Sequence, residues 1–137
     1  MKLVKGARVL LVEDNPADVN LVEEALAEAH VKCGLQILGD GMKALQFIGN
    51  VEKGEEPCPD LVMLDLNLPC LGGEHVLKRL RASRRWAAVK VLIITSSNAA
   101  NDRERVMKLG ATDYFRKPST VEQFLALGPK VQQMLEC

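Results

Sequence analysis

Short apolar runs alternate along this chain with stretches in which apolar residues recur at helical spacing. A continuous apolar run fits a strand that is buried on both faces, and apolar residues three and four apart fit a helix that packs on a sheet. The pattern predicts five strands that alternate with five helices. The predicted strands cover residues 8–12, 31–37, 61–65, 89–94 and 112–116.

Strands 1, 3 and 4 are continuous apolar runs, whereas strands 2 and 5 are not. Strands that alternate with helices form a parallel sheet through right-handed crossovers. Because the apolar strands belong in the centre and the others at the edges, the pattern predicts a doubly wound, flavodoxin-like α/β fold with strand order 2-1-3-4-5. Helix 5 contains Gly128-Pro129, so we expect a kink or break at that pair.

The charge and cysteine content of the chain limit the kinds of partner that we expect. The 137 residues correspond to about one domain, and 18 basic against 18 acidic residues give a net charge of zero. Such a balance provides no general attraction to nucleic acid or membrane, and the basic stretch 78–85 is typical of a solvated helix end. The four cysteines are scattered, and neither a signal peptide nor a membrane span is evident. We therefore expect a soluble cytoplasmic protein.

Polar residues follow four of the predicted strands. Glu13 and Asp14 follow strand 1, and Asp65 ends strand 3. Thr95 follows strand 4, and Lys117 follows strand 5. In the predicted order all of them lie at one edge of the sheet, with the switch point between strands 1 and 3. Asp65 by itself is compatible with a nucleophile, a metal ligand or a helix cap.

The three carboxylates would repel one another unless a pKa rises or a cation binds. Oxygen ligands select a hard ion, and Mg²⁺ fits best. Lys117 and the hydroxyl of Thr95 supply two further contacts for an anion. This combination predicts phosphoryl transfer onto Asp65, with the metal and Lys117 neutralising the phosphoryl oxygens.

From about residue 8 to its end the chain resembles the receiver domain of two-component response regulators. The resemblance implies one receiver domain over 8–137, an N-terminal extension over 1–7 and no output domain. Residues 13–18 and 65–69, with the long insert before strand 3, are also similar to stand-alone regulators paired with bacterial phytochrome kinases. The matching motifs are Glu13-Asp14, Asp65, Asn67-Leu68-Pro69, Gly72-Gly73, Thr95-Ser96 and Lys117-Pro118.

The resemblance implies a role for each site residue. Asp65 would accept a phosphoryl group from the phosphohistidine of a sensor histidine kinase, of the phytochrome type in the narrower similarity. Asp14, Asp65 and the backbone carbonyl of Asn67 would bind Mg²⁺, and Glu13 would act through water. Thr95 and Lys117 would contact the phosphoryl group.

The resemblance also implies a conformational switch. Thr95 would move toward the phosphoryl group, Tyr114 would turn inward, and the Lys117–Pro118 peptide bond would be cis. Helix 4, strand 5 and helix 5 would form the face that changes its contacts with a downstream protein, and a homodimer through helix 4 and strand 5 is a further expectation. Asn67 and Ser97 flank the site, so we expect them to tune the lifetime of the phosphorylated state.

Two alternatives use similar residues. A haloacid-dehalogenase-type phosphatase also has a strand-end Asp, a Thr or Ser, a Lys and an acidic pair, but in the reverse chain order. Its acid catalyst would fall at Asn67, so we expect a switch and not an enzyme. The second alternative is a binding module of the same fold that is not phosphorylated, or a flavin or nucleotide carrier. A carrier needs a glycine-rich loop after strand 1, where residues 13–16 would instead repel phosphate.

Overall fold

The computed structural model describes residues 6–97 and 99–136. Most of the predicted extension 1–7 and the last residue of the predicted domain 8–137 therefore lie outside the described residues. Five parallel strands form one sheet in the order β2-β1-β3-β4-β5, which confirms the predicted topology. The strands are β1 (Ala7–Val12), β2 (Cys33–Leu38), β3 (Leu61–Asp65), β4 (Lys90–Thr95) and β5 (Asp113–Arg116).

Helical segments cover both faces of the sheet. Within the described residues the helices are α1 (Pro16–Glu28), α2 (Gly41–Glu52), α3 (Gly73–Arg81), a short 3-10 helix (Arg84–Trp86), α4 (Ala100–Lys108), α5 (Val121–Phe124) and α6 (Leu127–Glu136). One apolar core lies between the sheet and helices α2, α3 and α4, and the other lies between the sheet and helices α1, α5 and α6.

Burial along the strands explains their order. Every residue of β3 is buried, and residues 9–12 of β1 and 91–94 of β4 are buried as well, because cores lie on both sides of these strands. β2 and β5 contain no buried residue, as expected for strands at the edges. The distinction between central and edge strands was therefore correctly predicted.

The helix after β1 begins with a side-chain cap and a proline. The side chain of Asn15 accepts hydrogen bonds from the backbone N–H groups of Ala17 and Asp18, and Pro16 occupies the first helical position, where a missing N–H costs nothing. α1 ends at Glu28. The left-handed φ of His30, 58°, marks the turn that ends the helix.

The fifth predicted helix is broken, but earlier than expected. α5 ends at Phe124 and α6 begins at Leu127, so Gly128-Pro129 lies inside the first turn of α6. The N–H of a residue there has no acceptor within the helix, and proline is tolerated. A Cβ at Gly128 would lie 2.3 Å from the carbonyl oxygen of Ala25, so glycine allows α6 to pack closely on α1.

Trp86 lies in the core on the α2 side of the sheet. It is fully buried, its indole N–H donates to the carbonyl of Ile48, and its ring meets Phe47 edge to face at 6.0 Å. The fourth helix is largely exposed, with Val106 as its buried residue. No helix within residues 6–97 and 99–136 is long and apolar enough to cross a bilayer.

Candidate functional site

Strand register brings the predicted site residues to one edge of the sheet. Val12 of β1 is level with Leu64 of β3, so Glu13 and Asp65 follow at the same height. Thr95 is level with Arg116, which places Lys117 just beyond the end of β4. The carboxyl ends of β1, β3, β4 and β5 therefore surround a single site, as expected at the switch point of a doubly wound sheet.

Three carboxylates form the acidic part of this site. Glu13 and Asp65 are buried, Asp14 is exposed, and one oxygen atom from each lies within 4.8 Å of the others. Burial raises the pKa of Glu13 to about 7; the charge of Asp65 adds to this effect, and the hydrogen bond from Lys117 opposes it. A close set of oxygen donors with this much negative charge fits a hard divalent cation.

The ammonium group of Lys117 lies among the acids. Its Nζ donates to Glu13 Oε1 at 2.7 Å, to Asp18 Oδ2 at 2.8 Å and to Asp65 Oδ2 at 3.4 Å. Burial alone would lower the pKa of Lys117, but the hydrogen bonds to Asp18 and Glu13 and the charge of Asp65 raise it above its ordinary value. The lysine therefore remains a fixed positive charge beside Asp65.

A second group of contacts joins Asp65 to Thr95. The backbone N–H of Asn67 donates to Asp65 Oδ1 at 3.1 Å, and its side-chain amide donates to Thr95 Oγ1 at 3.1 Å. The backbone N–H of Ser97 also donates to Thr95 Oγ1, at 3.2 Å. The buried hydroxyl of Thr95 accepts both bonds, so its own proton is available to an oxygen atom that enters the site.

The turn after Asp65 depends on a glycine. A Cβ at Gly73 would lie 2.2 Å from the carbonyl oxygen of Asp65 and 2.9 Å from the Cα of Leu66. Glycine therefore lets the start of α3 pack directly against the end of β3. The other glycine of the predicted motif, Gly72, is the N-cap residue of α3.

Tyr114 and Ser97 form a neighbouring cluster with α4. The hydroxyl of Tyr114 donates to the backbone carbonyl of Ser97 at 3.3 Å, and the guanidinium of Arg103 lies 5.8 Å from the centre of the tyrosine ring. Burial, together with the charge of Asp102, raises the pKa of Tyr114. The hydroxyl of Ser97 is hydrogen-bonded to Asp102. Tyr114 is thus joined to the loop that follows Thr95.

The structure brings together most of the predicted residues and corrects one detail. Glu13, Asp14, Asp65, Asn67, Thr95 and Lys117 share one site, with Ser97 and Tyr114 beside it. The Lys117–Pro118 peptide bond is trans, so the predicted cis bond was wrong. For an X–Pro bond trans is favoured by about 0.5–1 kcal/mol, and the Lys117 side chain reaches all three acids with this geometry.

Asp18 is the site residue that the sequence interpretation left without a role. It lies in the first turn of α1, where an acidic residue is ordinarily explained by the helix dipole. A signal was nevertheless present, because the helix begins directly after the carboxyl end of β1. An acid in its first turn therefore faces the same edge of the sheet as Asp65.

Comparison with known proteins identifies a family with this arrangement. The family model of the response regulator receiver domain matches residues 9–127. Response regulator Rcp1 of Synechocystis sp. is 32% identical over 120 residues, which cover 87% of this chain and 82% of that protein. Other curated relatives are longer: the chain spans 49% of two-component response regulator ORR1 of Oryza sativa, at 31% identity over 113 residues, or 81% of this chain.

Solved structures share the fold over nearly the whole chain. The phosphorylated cyanobacterial phytochrome response regulator RcpA has a TM-score of 0.86 at 28% identity, and the match covers 96% of this chain and 94% of that one. The Mn²⁺-bound form of Rcp1 has a TM-score of 0.83 at 30% identity, with 93% of this chain and 92% of that chain covered.

Proposed function

Because this chain belongs to the response regulator receiver domain family, we propose that it is a signalling switch that stores a phosphoryl group on Asp65. One observation carries the proposal: the buried carboxylate of Asp65 lies between the ammonium of Lys117 and the Asn67–Thr95 pair. A nucleophilic oxygen, a fixed cation and a hydroxyl donor are therefore positioned around the space that a phosphoryl group on Asp65 would occupy.

The phosphoryl donor in this proposal is the phosphohistidine of a sensor histidine kinase. A carboxylate oxygen of Asp65 attacks the phosphorus atom, and the P–N bond breaks. The imidazole nitrogen leaves with the electron pair of that bond and takes up a proton. Lys117 and Thr95 stabilise the negative charge on the phosphoryl oxygens, because the ammonium of Lys117 already contacts Asp65 and the hydroxyl of Thr95 still has its proton to donate.

We assign Mg²⁺ to the acidic group. Asp14, Asp65 and the backbone carbonyl of Asn67 would hold it, and Glu13 would act through water. The close approach of the Glu13, Asp14 and Asp65 oxygens supports this assignment, and the related Rcp1 has a structure in a Mn²⁺-bound form. When bound, the metal supplies positive charge that neutralises phosphoryl oxygens during transfer.

Storage of the phosphoryl group, and not turnover of a substrate, fits the contacts of Asn67. A haloacid-dehalogenase-type phosphatase needs an acid two residues after its nucleophile. That position here holds an amide, which donates its proton to Thr95 Oγ1. Asn67 and Ser97 both contact Thr95, so they are placed to influence how long the phosphoryl group survives.

The switch would act through the loop between β4 and α4. Thr95 bonds the backbone of Ser97, and the carbonyl of Ser97 bonds the hydroxyl of Tyr114. A shift of Thr95 toward the phosphoryl group would change this chain of contacts and the position of the Tyr114 ring. The affected surface comprises α4, β5 and α5.

The partners of this surface belong to the same proposal. The similarity to RcpA and Rcp1 favours a phytochrome-type kinase as the phosphoryl donor. A downstream protein, or a second copy of the chain, would bind the α4, β5 and α5 surface. Met107 on α4 and Val121 on α5 are large apolar side chains exposed there, at 38% and 49%.

Acetyl phosphate, a small phosphoryl donor, tests the function in the absence of a kinase. The wild-type protein, incubated with acetyl phosphate and Mg²⁺, should gain the mass of one phosphoryl group, and Asp65→Asn should gain none. Omission of Mg²⁺ should abolish the gain. A wild-type mass that stays unchanged with acetyl phosphate and with a phosphorylated phytochrome-type kinase would refute the phosphoacceptor function.

A further inference from the structure

Asp18 contacts Lys117, the same cation that touches Asp65. Its Oδ2 lies 2.8 Å from Nζ of Lys117, whereas Asp65 Oδ2 lies 3.4 Å from the same atom. The third acid, Glu13, lies at 2.7 Å. An ammonium group has three N–H donors, so these three acids occupy all of its hydrogen-bonding capacity.

We propose that Asp18 is a positioning residue for Lys117. It holds the ammonium group toward α1 in the unphosphorylated protein and gives it up when a phosphoryl group on Asp65 arrives. Asp18 thereby sets the affinity of the site for the phosphoryl group. This inference rests on the proposed phosphoacceptor function. It gives Asp18 a role as the residue that competes with the phosphoryl group for Lys117.

Differences in burial make Asp18 the partner that Lys117 can exchange. The side chain of Glu13 is 0% exposed, so loss of the cation would leave it as a buried and unpaired charge. The side chain of Asp18 is 22% exposed and lines an open cleft of about 660 Å³ between α1 and the segment after β5. Water can therefore hydrate its carboxylate once Lys117 has moved.

The helix cap holds Asp18 in position for this contact. Asn15 accepts a hydrogen bond from the backbone N–H of Asp18 at 3.4 Å, within the first turn of α1. This bond holds the backbone from which the side chain of Asp18 reaches Lys117. The carboxylate does not have to be recruited from a mobile loop.

Two effects of Asp18 act in the same direction. A phosphoryl group needs a donor from Lys117, but the short contacts to Glu13 at 2.7 Å and Asp18 at 2.8 Å hold the ammonium farther from Asp65, at 3.4 Å. The negative charge of Asp18 also repels the negative phosphoryl group across the site. Removal of this charge should therefore strengthen the binding of a phosphoryl group, although it removes an ion pair from the unphosphorylated protein.

A simpler role for Asp18 would be to stabilise the N-terminus of α1 through the helix dipole. The two roles differ in what they predict for Lys117. A purely structural acid would change the thermal midpoint when it is neutralised, but it would leave the ammonium of Lys117 and the affinity for a phosphoryl group unaltered.

The test uses the full chain and beryllofluoride, which mimics the phosphoryl group on an aspartate. One measurement is the ¹H–¹⁵N NMR signal of the Lys117 ammonium in the absence of metal, and the other is the affinity for beryllofluoride with Mg²⁺ present. Asp18→Asn should shift the ammonium signal or broaden it by faster exchange. It should also tighten beryllofluoride binding by roughly two- to fivefold, the range expected for one partly exposed charge pair.

Two further variants serve as controls. Glu23→Gln removes the same charge from an exposed position of α1, and it should change neither measurement. Asp18→Glu keeps the charge and should retain most of the wild-type behaviour. An Asp18→Asn protein that binds beryllofluoride no more tightly than wild type, or that leaves the Lys117 signal unchanged, would overturn the role of Asp18. A wild-type protein that neither binds beryllofluoride nor reacts with acetyl phosphate would instead refute the phosphoacceptor function.

Discussion

Replacement of Lys117 by methionine should destabilise the protein, and Mg²⁺ should reverse part of the loss. Methionine has a similar length but no charge, so the substitution leaves Glu13 and Asp65 without their shared cation. The side chain of Lys117 is 8% exposed, and those of the two acids are 0% and 6% exposed. Water therefore cannot replace the ammonium group.

The expected magnitude follows from the burial of each contact. Loss of one partner of a buried ion pair typically costs about 3–5 kcal/mol, whereas a partly exposed contact such as that to Asp18 contributes about 1 kcal/mol or less. The desolvation of the lysine no longer has to be offset in the variant, which reduces the net loss. We therefore expect a decrease of about 2–4 kcal/mol in the free energy of unfolding, or about 10 °C in Tm.

Thermal and urea unfolding with and without Mg²⁺ provide the assay. A metal ion bound by Glu13, Asp14 and Asp65 would neutralise the charges that the variant leaves unpaired, so the difference in Tm between Lys117→Met and wild type should shrink at saturating Mg²⁺. Lys32→Met, at an exposed position between α1 and β2, serves as the control and should change Tm little. A Lys117→Met protein as stable as wild type, or a deficit that Mg²⁺ leaves unaltered, would contradict this account of the site.

Three further outcomes test the fold around the site. Gly128→Ala should lower the free energy of unfolding by about 1–3 kcal/mol, measured by urea unfolding, because its Cβ would lie 2.3 Å from the carbonyl oxygen of Ala25 and α6 would have to shift away from α1. Mg²⁺ titration should barely change tryptophan fluorescence, because Trp86 lies in the core with its N–H on Ile48, and strong quenching would contradict this placement. Burial acts to raise the pKa of Asp113, but the hydrogen bonds from Lys130 and from the backbone of Tyr114 outweigh burial, so the pKa of Asp113 is lowered. Replacement of Asp113 by asparagine removes this stabilised charge and should therefore destabilise the protein at neutral pH. This difference should disappear as the pH falls through the lowered pKa, as measured by unfolding at several pH values.

The sheet could be predicted from the sequence because burial leaves a direct trace in it. A strand between two cores must be apolar at successive positions, as in residues 61–64 of β3, whereas an edge strand such as Cys33–Leu38 has exposed positions. The strand order then follows from the crossover rule, and the meeting of Glu13 with Asp65 follows from the strand order. This part of the site was predictable because it depends on backbone topology alone.

The break in the last helix was predicted from the correct residues but at the wrong position. Gly128-Pro129 looks like a helix breaker when only backbone propensity is considered. In the structure the carbonyl of Ala25 leaves room only for a glycine at position 128, and Pro129 is tolerated because it lies in the first turn of α6. Contact between α1 and α6 thus determines where the helix begins, and such a contact between distant segments leaves no local pattern in the sequence.

The acids that Lys117 binds could not be predicted from the sequence. The chain order places a lysine after β5, but several acids lie within reach of its long side chain. Which of them it binds depends on the cost of leaving each acid without a cation, and that cost follows burial: Glu13 is fully enclosed, whereas Asp18 keeps contact with water. A site that must accept an anion needs its cation to be both fixed and releasable. One buried and one partly exposed acid on the same ammonium group satisfy both requirements, because the first keeps Lys117 in the site and the second can be replaced by the phosphoryl group.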